Sequence, residues 1–113
     1  MLQMENTLKT PYELFDIECG DGWKKLYQPV IEAVKKYNQE HPFDSVLMTI
    51  DQIKEKFGGL RIYLNFYTDE IKDMIAKAEE ESYHTCELCG KHIDKQITKN
   101  HWIYSICEEC FNK

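Results

Sequence analysis

The chain has 113 residues, of which 42% are hydrophobic and 30% are charged, proportions that are typical of a single globular domain. It contains no internal repeat, no low-complexity tract and no apolar stretch long enough to span a membrane. The formal net charge of −6 and the presence of a single arginine, Arg61, argue against the basic surface of a DNA-binding zinc finger.

The first element predicted in chain order is a helix that starts near Trp23. Residues 1–18 before it are expected to be irregular or partly extended, with Leu14, Phe15 and Ile17 available to pin them to the core. One buried helical face is indicated by apolar residues at three-and-four spacing, namely Trp23, Leu26, Tyr27, Val30, Ile31, Val34 and Tyr37.

Three features are expected to shape this helix. Asp21-Gly22 caps its start. Pro29 interrupts the apolar pattern, and a proline inside a helix removes a donor and clashes with the preceding turn, so the helix is either kinked or restarted there. His41-Pro42 ends the helix, because a residue before proline is pushed out of the helical region.

Two strands are predicted next, over residues 46–53 and 60–67. The first is rich in β-branched and apolar residues, and the second alternates apolar with polar side chains. Gly58-Gly59 between them supplies the positive φ angles of a tight antiparallel hairpin. Arg61 is expected on the polar face, where it either pairs with an internal carboxylate or anchors a partner protein.

A second helix is predicted from Thr68, whose hydroxyl caps it ahead of two carboxylates near the positive end of the helix dipole. Its inner face is expected to comprise Ile71, Met74, Ile75, Ala78 and Ser82. The Glu79-Glu80-Glu81 run then lies in water, either as an ordinary solvated face or as an acidic docking surface.

The last quarter of the chain carries two Cys-x2-Cys pairs, Cys86 with Cys89 and Cys107 with Cys110, separated by seventeen residues. This spacing predicts one tetrahedral zinc site, and Gly90 supports the tight turn after the first pair. Four thiolate ligands leave no open coordination position, so the zinc is expected to be structural. The alternative is two disulfides in a secreted domain, but the chain opens without the basic start and apolar run of a signal peptide.

The segment between the cysteine pairs is expected to form a small hairpin from residues 93–97 and 102–106, with Phe111 folded back as its apolar cover. Only three residues follow Cys110, too few for the long helix of many treble-clef modules. The module is therefore expected to be a truncated treble clef or a zinc ribbon.

Cys19 is the odd cysteine, and it lies near a helix start, where a thiol can be acidified into a nucleophile. Glu18 and Asp21 oppose its ionisation, so a packing role is expected. No nucleophile elbow or phosphate loop is present, which favours a binding protein over an enzyme. Alternative metal ligands or a catalytic base are offered by the four histidines, His41, His84, His92 and His101.

With these motifs the chain resembles a family of small bacterial and phage proteins. The most distinctive part is the KFGGLR hairpin at residues 56–61, and the other shared segments are residues 19–23, 52–61, 78–79 and 85–90 with Ser82, Trp102, Cys107 and Cys110. Recurrence of the family in phages and prophages implies an accessory role, such as binding a host protein or blunting a defence system. The zinc segment alone is similar to that of the DksA/TraR group of RNA-polymerase-binding regulators, which place it after a long coiled coil that this chain lacks.

We therefore expect an α+β fold with a helix, an antiparallel β-hairpin, a second helix and a four-cysteine zinc module. Residues 1–83 are expected to form the core, and residues 84–113 the module packed on it as one compact unit. The expected function is that of a cytoplasmic, non-enzymatic protein that binds a host or defence protein, and the alternative is a transcription regulator that contacts RNA polymerase or nucleic acid. Candidate site residues are the zinc ligands Cys86, Cys89, Cys107 and Cys110, and the partner-binding residues Arg61, Glu79, Glu80 and Glu81.

Overall fold

The computed structural model describes residues 16–42 and 46–113, and it has an α+β fold, as predicted. Three strands form one sheet and two form another. In chain order the elements are β1 (Ile17–Glu18), a short 3-10 helix (Asp21–Trp23), α1 (Lys24–Glu40), β2 (Ile50–Lys56), β3 (Gly59–Leu64), α2 (Asp69–Ser82), β4 (Ile97–Lys99), β5 (Trp102–Tyr104) and α3 (Glu108–Phe111). The predicted anchors Leu14 and Phe15 lie outside the described residues.

The larger sheet has the strand order β1-β2-β3. Strands β2 and β3 pair antiparallel, as predicted, with Lys56 opposite Gly59 at the turn. Strand β1 pairs parallel with β2 and places Ile17 beside Ile53, a pairing that the sequence did not predict. The sheet therefore brings the residues just before Cys19 next to the central hairpin.

The turn of the β2–β3 hairpin lies one residue earlier than predicted. Its two central residues are Phe57 and Gly58, with φ angles of 53° and 78°, and Gly59 is already the first residue of β3. Positive φ at both central positions gives the turn a twist that matches that of the flanking strands. Gly58 adopts this conformation at little cost, whereas Phe57 takes it as a non-glycine residue.

Strand β2 begins later than the predicted segment 46–53, and β3 ends earlier than the predicted segment 60–67. At this open end of the hairpin, asparagine side chains form hydrogen bonds with the backbone. Asn38 Nδ2 donates to the Met48 carbonyl at 3.0 Å, and the Met48 N–H donates to Asn38 Oδ1 at 2.9 Å. Asn65 Oδ1 likewise accepts the N–H of residue 49 at 2.8 Å. The paired register therefore starts with Ile50 opposite Leu64, and beyond it the Asn65 N–H still donates to the carbonyl of residue 49 at 3.2 Å.

Helix α1 buries the face that the apolar spacing predicts, and it runs continuously through Pro29. The alternative of a restart at Pro29 is therefore wrong. Burial of the apolar stripe stabilises the helix by more than the loss of one backbone hydrogen bond at Pro29 destabilises it. Each fully buried large apolar side chain contributes about 2 kcal/mol to the stability of the fold. The stripe consists of Tyr27, Val30, Ile31 and Val34, and Trp23 extends it from the preceding 3-10 helix.

Helix α2 begins as predicted, with Thr68 Oγ1 accepting the N–H of Ile71 at 3.2 Å. It packs against α1 and β3. The buried Ser82 hydroxyl accepts the Leu60 N–H at 2.9 Å and so ties the end of α2 to β3. No helix within residues 16–42 and 46–113 is long and apolar enough to cross a membrane.

The hairpin between the cysteine pairs is present, but β4 shares only Ile97 with the predicted segment 93–97, and β5 ends at Tyr104, two residues before the end of the predicted segment 102–106. Ile93 is buried in a small cluster with Cys86 and Cys107 instead of extending β4. Asn100 and His101 form the turn with φ angles of 54° and 69°. The hairpin therefore projects from the cysteine cluster and turns sharply at its tip.

Candidate metal centre

The four cysteines of the two pairs come together at the C-terminal end of the fold. Their sulfur atoms all lie within 4.8 Å of one another, and Cys89 Sγ is 3.7 Å from Cys107 Sγ. Sulfurs bound at about 2.3 Å around a tetrahedral zinc ion are about 3.8 Å apart. Cys86, Cys89, Cys107 and Cys110 can therefore hold one metal ion with little rearrangement.

The first pair forms a knuckle, here defined as residues 86–91. Backbone N–H groups of the knuckle donate hydrogen bonds to its own carbonyls and to the Cys86 sulfur. The Cys89 N–H donates to Cys86 Sγ at 3.5 Å, and the Gly90 N–H donates to the Cys86 carbonyl at 2.9 Å. The Cys86 N–H closes the loop by donating to the Lys91 carbonyl at 2.8 Å. Gly90 has a φ angle of 83°, as its predicted role in a tight turn requires.

The second pair lies on a helical turn. Cys107 is the N-cap of α3, its carbonyl accepts the Phe111 N–H at 2.9 Å, and Cys110 lies within the helix. A treble clef has a knuckle, then a hairpin and then a helix that carries the second cysteine pair. A zinc ribbon instead carries both pairs on hairpins. Of the two predicted alternatives, the truncated treble clef describes the module.

The thiols of the cluster differ in acidity. Burial raises the pKa of Cys86, but the backbone N–H groups of Cys107, Cys89 and Leu88 donate to its sulfur and outweigh burial, so its pKa falls from 9.0 to about 6. The hydrogen bond with the Cys107 side chain is the largest cause that raises the pKa of Cys110 to about 12. Cys86 thus ionises readily while the Cys110 thiol keeps its proton, and a bound dication would release that proton.

No protein-family model, no curated protein and no solved structure matches this chain. The resemblances to a phage protein family and to the DksA/TraR zinc segment stay predictions. What the molecule can do is therefore inferred from the geometry of the four cysteines and of the surfaces around them.

The knuckle docks onto the turn between β1 and α1, here called the glycine turn and defined as residues 20–22. The Gly22 N–H donates to the Glu87 carbonyl at 2.7 Å, and the Gly20 N–H donates to Glu87 Oε2 at 2.9 Å. The buried Trp23 Nε1–H donates to the Thr85 carbonyl at 2.8 Å. These contacts join residues more than sixty positions apart, which is why the sequence motif alone did not reveal their role.

The tip of the β2–β3 hairpin is the second contact between the core and the cysteine module. The Gly58 carbonyl accepts hydrogen bonds from Gln96 Nε2 at 3.2 Å and from the buried Ser105 hydroxyl. A Cβ at Gly58 would lie 3.0 Å from Ile103 Cγ2. Residues 20–22 and the β2–β3 hairpin tip thus both contact the cysteine module directly.

The predicted partner-binding residues are divided between two environments. Arg61 Nη1 donates to Glu79 Oε2 at 2.8 Å, and the Tyr83 hydroxyl donates to the same oxygen at 2.9 Å. Glu80 and Glu81 are exposed on α2. Glu79 therefore faces the arginine of the core and does not point outward with its two neighbours.

Two of the histidines contact each other and neighbouring carboxylates. His84 and His92 stack with their ring centroids 6.3 Å apart, and their outer nitrogens lie near the carboxylates of Glu80 and Asp94. Within residues 16–42 and 46–113, the four cysteines are the only group of side chains close enough to hold a metal ion.

Cys19 is half-buried beside the glycine turn. Burial is the largest cause that raises the pKa of its thiol to about 12, and the carboxylates of Glu87, Asp21 and Glu55 add to it. A thiol with this pKa stays protonated near neutral pH, so the side chain acts as a packing group and not as a nucleophile.

We expect Cys19 in the folded protein to react with iodoacetamide at pH 8 at least about 100-fold more slowly than a free thiol, because its thiolate fraction is depressed. The rate should rise steadily between pH 8 and pH 10 without levelling off near 9, since the pKa is raised. The labelling rate of Cys19 is measured by quenched labelling followed by peptide mass spectrometry. Protein in guanidinium with a chelator is the control, in which all five cysteines should react; rapid labelling of Cys19 in the folded state would contradict the packing role.

Proposed function

We propose that this chain is a small, non-enzymatic binding protein whose fold is closed by one zinc ion on Cys86, Cys89, Cys107 and Cys110. We further propose that it acts by contact with another protein, as a phage-type accessory factor that binds a host or defence protein. The observation that carries the proposal is the convergence of four sulfurs within 4.8 Å at the junction of the core and the cysteine module.

Zinc is favoured by the ligand set. Four thiolates in a tetrahedron suit Zn²⁺ or iron, and zinc brings no redox chemistry of its own. The sulfurs fill all four positions, so a bound ion would have no open position for water or substrate. Its role would be to hold the knuckle, the β4–β5 hairpin and α3 in one arrangement.

Protein purified without chelator is expected to contain one zinc ion per chain, measured by inductively coupled plasma mass spectrometry against protein concentration. The iron content of the same sample tests the alternative metal directly. A colourless sample with less than about a tenth of an equivalent of any metal would contradict the metal centre, since structural zinc binds with on the order of 10 kcal/mol of apparent free energy.

A protein partner is favoured over nucleic acid by charge. The net charge is −6, and the single arginine, Arg61, forms a partly exposed ion pair with Glu79 of the same chain. Phosphate backbones are bound mainly by lysine and arginine clusters, which makes an acidic chain a poor ligand for them. The exposed Glu80 and Glu81 offer an acidic surface for a basic partner protein.

The partner class is tested with the intact, zinc-loaded protein immobilised in nuclease-treated bacterial lysate. We expect one retained protein, and we expect the double substitution Glu80→Lys and Glu81→Lys to reduce its retention. Glu40→Lys, an exposed carboxylate at the end of α1, is the matched control and should bind as the parent does. Micromolar binding to random duplex DNA at low salt would instead favour the transcription regulator.

A further inference from the structure

The four cysteines of the metal centre differ in exposure. Cys86 is 0% exposed and Cys107 is 5% exposed, whereas Cys89 is exposed and Cys110 is intermediate. A zinc ion has no redox chemistry, but its thiolate ligands can be oxidised, and exposed thiolates react first. A small oxidant that approaches from solvent therefore meets Cys89 before the other three ligands.

Cys89 also lies close to a cysteine of the other pair. Its Sγ is 3.7 Å from Cys107 Sγ, so a movement of less than about 2 Å brings the two sulfurs to the length of a disulfide bond. Cys86 is a poorer partner, because it is fully buried and its sulfur is held by the backbone N–H groups of Cys107, Cys89 and Leu88. The geometry thus favours a disulfide between the pairs, joining Cys89 to Cys107.

A disulfide between these two sulfurs would dismantle the ligand set. Only Cys86 and Cys110 would remain as thiolates, whereas a structural zinc site uses four ligands. The buried cluster of the cysteine module is small and consists of Cys86, Ile93 and Cys107. Loss of the ion would therefore loosen the knuckle where it contacts the glycine turn.

We propose that the metal centre is a redox switch, in which a peroxide joins Cys89 to Cys107 and the zinc ion is released. The Cys89 thiolate attacks hydrogen peroxide, the O–O bond breaks, and a sulfenic acid and a hydroxide form. The Cys107 thiolate then attacks the sulfenic sulfur, the S–S bond forms and a second hydroxide leaves. The two thiolates together lose two electrons, and the peroxide gains them.

Release of zinc is the first measurement. Zinc-loaded protein without reductant is treated with hydrogen peroxide, and the released zinc is followed with a weakly binding chromophoric chelator. We expect one zinc ion released per chain and two of the five thiols lost, and both should be restored by a dithiol reductant with added zinc. Cys19→Ala is the control outside the sulfur cluster and should release zinc at the parental rate.

The sequence allows the disulfide to be located. Glu87 lies between the members of the first pair, and Glu108 and Glu109 lie between those of the second. Digestion with trypsin and a glutamate-specific protease therefore places each of the four cysteines on a separate peptide. Mass spectrometry without reduction should find Cys89 linked to Cys107. A link within either pair would overturn the proposal.

Two histidine substitutions test the role of the exposed cysteine. Cys89→His and Cys110→His each leave three thiolates and one imidazole, which is a zinc ligand set, and each is expected to bind zinc more weakly than the parent. At equal zinc load, the peroxide-dependent release should be about tenfold or more slower in Cys89→His, because the exposed sulfur is absent. Cys110→His keeps Cys89 and Cys107 and should still release zinc through their disulfide. Equal rates in the two variants would overturn the proposal, and if either variant fails to hold zinc, the disulfide found in the parent decides.

Oxidation is also expected to loosen the glycine turn. The Gly22 N–H donates to the Glu87 carbonyl, so hydrogen exchange in a peptide covering residues 20–23 should be faster after oxidation and should slow again on reduction with zinc. Full zinc release with unchanged exchange would overturn the switch, because oxidation would then leave the fold as it was.

The proposal rests on the zinc site of the proposed function, but the two can fail separately. If protein purified with reductant carries one zinc ion that peroxide does not release, the zinc site stands and the switch is wrong. If the same preparation carries no metal, the proposed zinc site itself is wrong.

Discussion

Replacement of Cys107 by serine is expected to remove the bound metal and to lower the melting temperature by more than about 15 °C. In a domain of this size, each kcal/mol lost from the free energy of unfolding lowers the melting temperature by about 4–8 °C. The cysteine module has little apolar core of its own. Its buried cluster consists of Cys86, Ile93 and Cys107, and two of these three are proposed ligands. Without the metal, the module would depend on that cluster and on its contacts with the glycine turn and Gly58.

The measurement is thermal unfolding followed by circular dichroism, with and without added zinc, together with metal analysis of the same samples. Cys19→Ala is the matched control, because it removes a half-buried thiol outside the sulfur cluster and should leave the metal content at one equivalent. Addition of a strong chelator to the parent protein should reproduce the effect of Cys107→Ser. An unchanged melting temperature in both cases would mean that no structural metal is present.

The parts of the fold that were predictable are those specified by local pattern. The apolar stripe of α1, the Thr68 cap of α2 and the spacing of the cysteine pairs each depend on residues a few positions apart. Side-chain periodicity and capping act over one or two turns, so they can be recognised without the fold. The predicted α+β architecture and the clustering of the four cysteines follow from such patterns.

The parts that were missed depend on long-range contacts. The parallel pairing of Ile17 with Ile53 involves a strand of only two residues, too short for an alternating pattern to be recognised. Arg61 could have pointed to a partner or to an internal carboxylate, and only the packing of α2 on β3 brings Glu79 within 2.8 Å of it. Local pattern could not have chosen between those two alternatives.

The glycine turn is the clearest case of a motif whose residue types are required by contacts with a distant part of the chain. From the sequence, Asp21-Gly22 resembles a helix cap, but the structure places both residues inside the short 3-10 helix, whose N-cap is Gly20, and no side chain caps either that helix or α1. The stricter requirement at Gly22 comes from the knuckle, since the two backbones approach too closely for any side chain between them. Residues 19–23 and the first cysteine pair therefore act as one unit.

Substitution of Gly22 by alanine is expected to destabilise the protein by about 3 kcal/mol, at the upper end of the range for overpacked buried sites. A Cβ at this position would overlap the Cys86 carbonyl and would lie 2.6 Å from both the Glu87 carbonyl oxygen and the Gly90 nitrogen. All three are backbone atoms of the knuckle, so no rotamer change can relieve the clash. The knuckle and the glycine turn would have to separate, which breaks the Gly22 N–H to Glu87 hydrogen bond.

Because the displaced atoms belong to the loop that carries Cys86 and Cys89, Gly22→Ala should also weaken zinc binding, although it changes no ligand. Urea unfolding in excess zinc measures the stability loss, and competition with a chromophoric chelator measures the affinity. Asp21→Ala is the matched control, because Asp21 is exposed between the two close-packed glycines and should cost less than about 0.5 kcal/mol. A Gly22→Ala protein with parental stability and zinc affinity would show that the glycine turn does not support the metal centre.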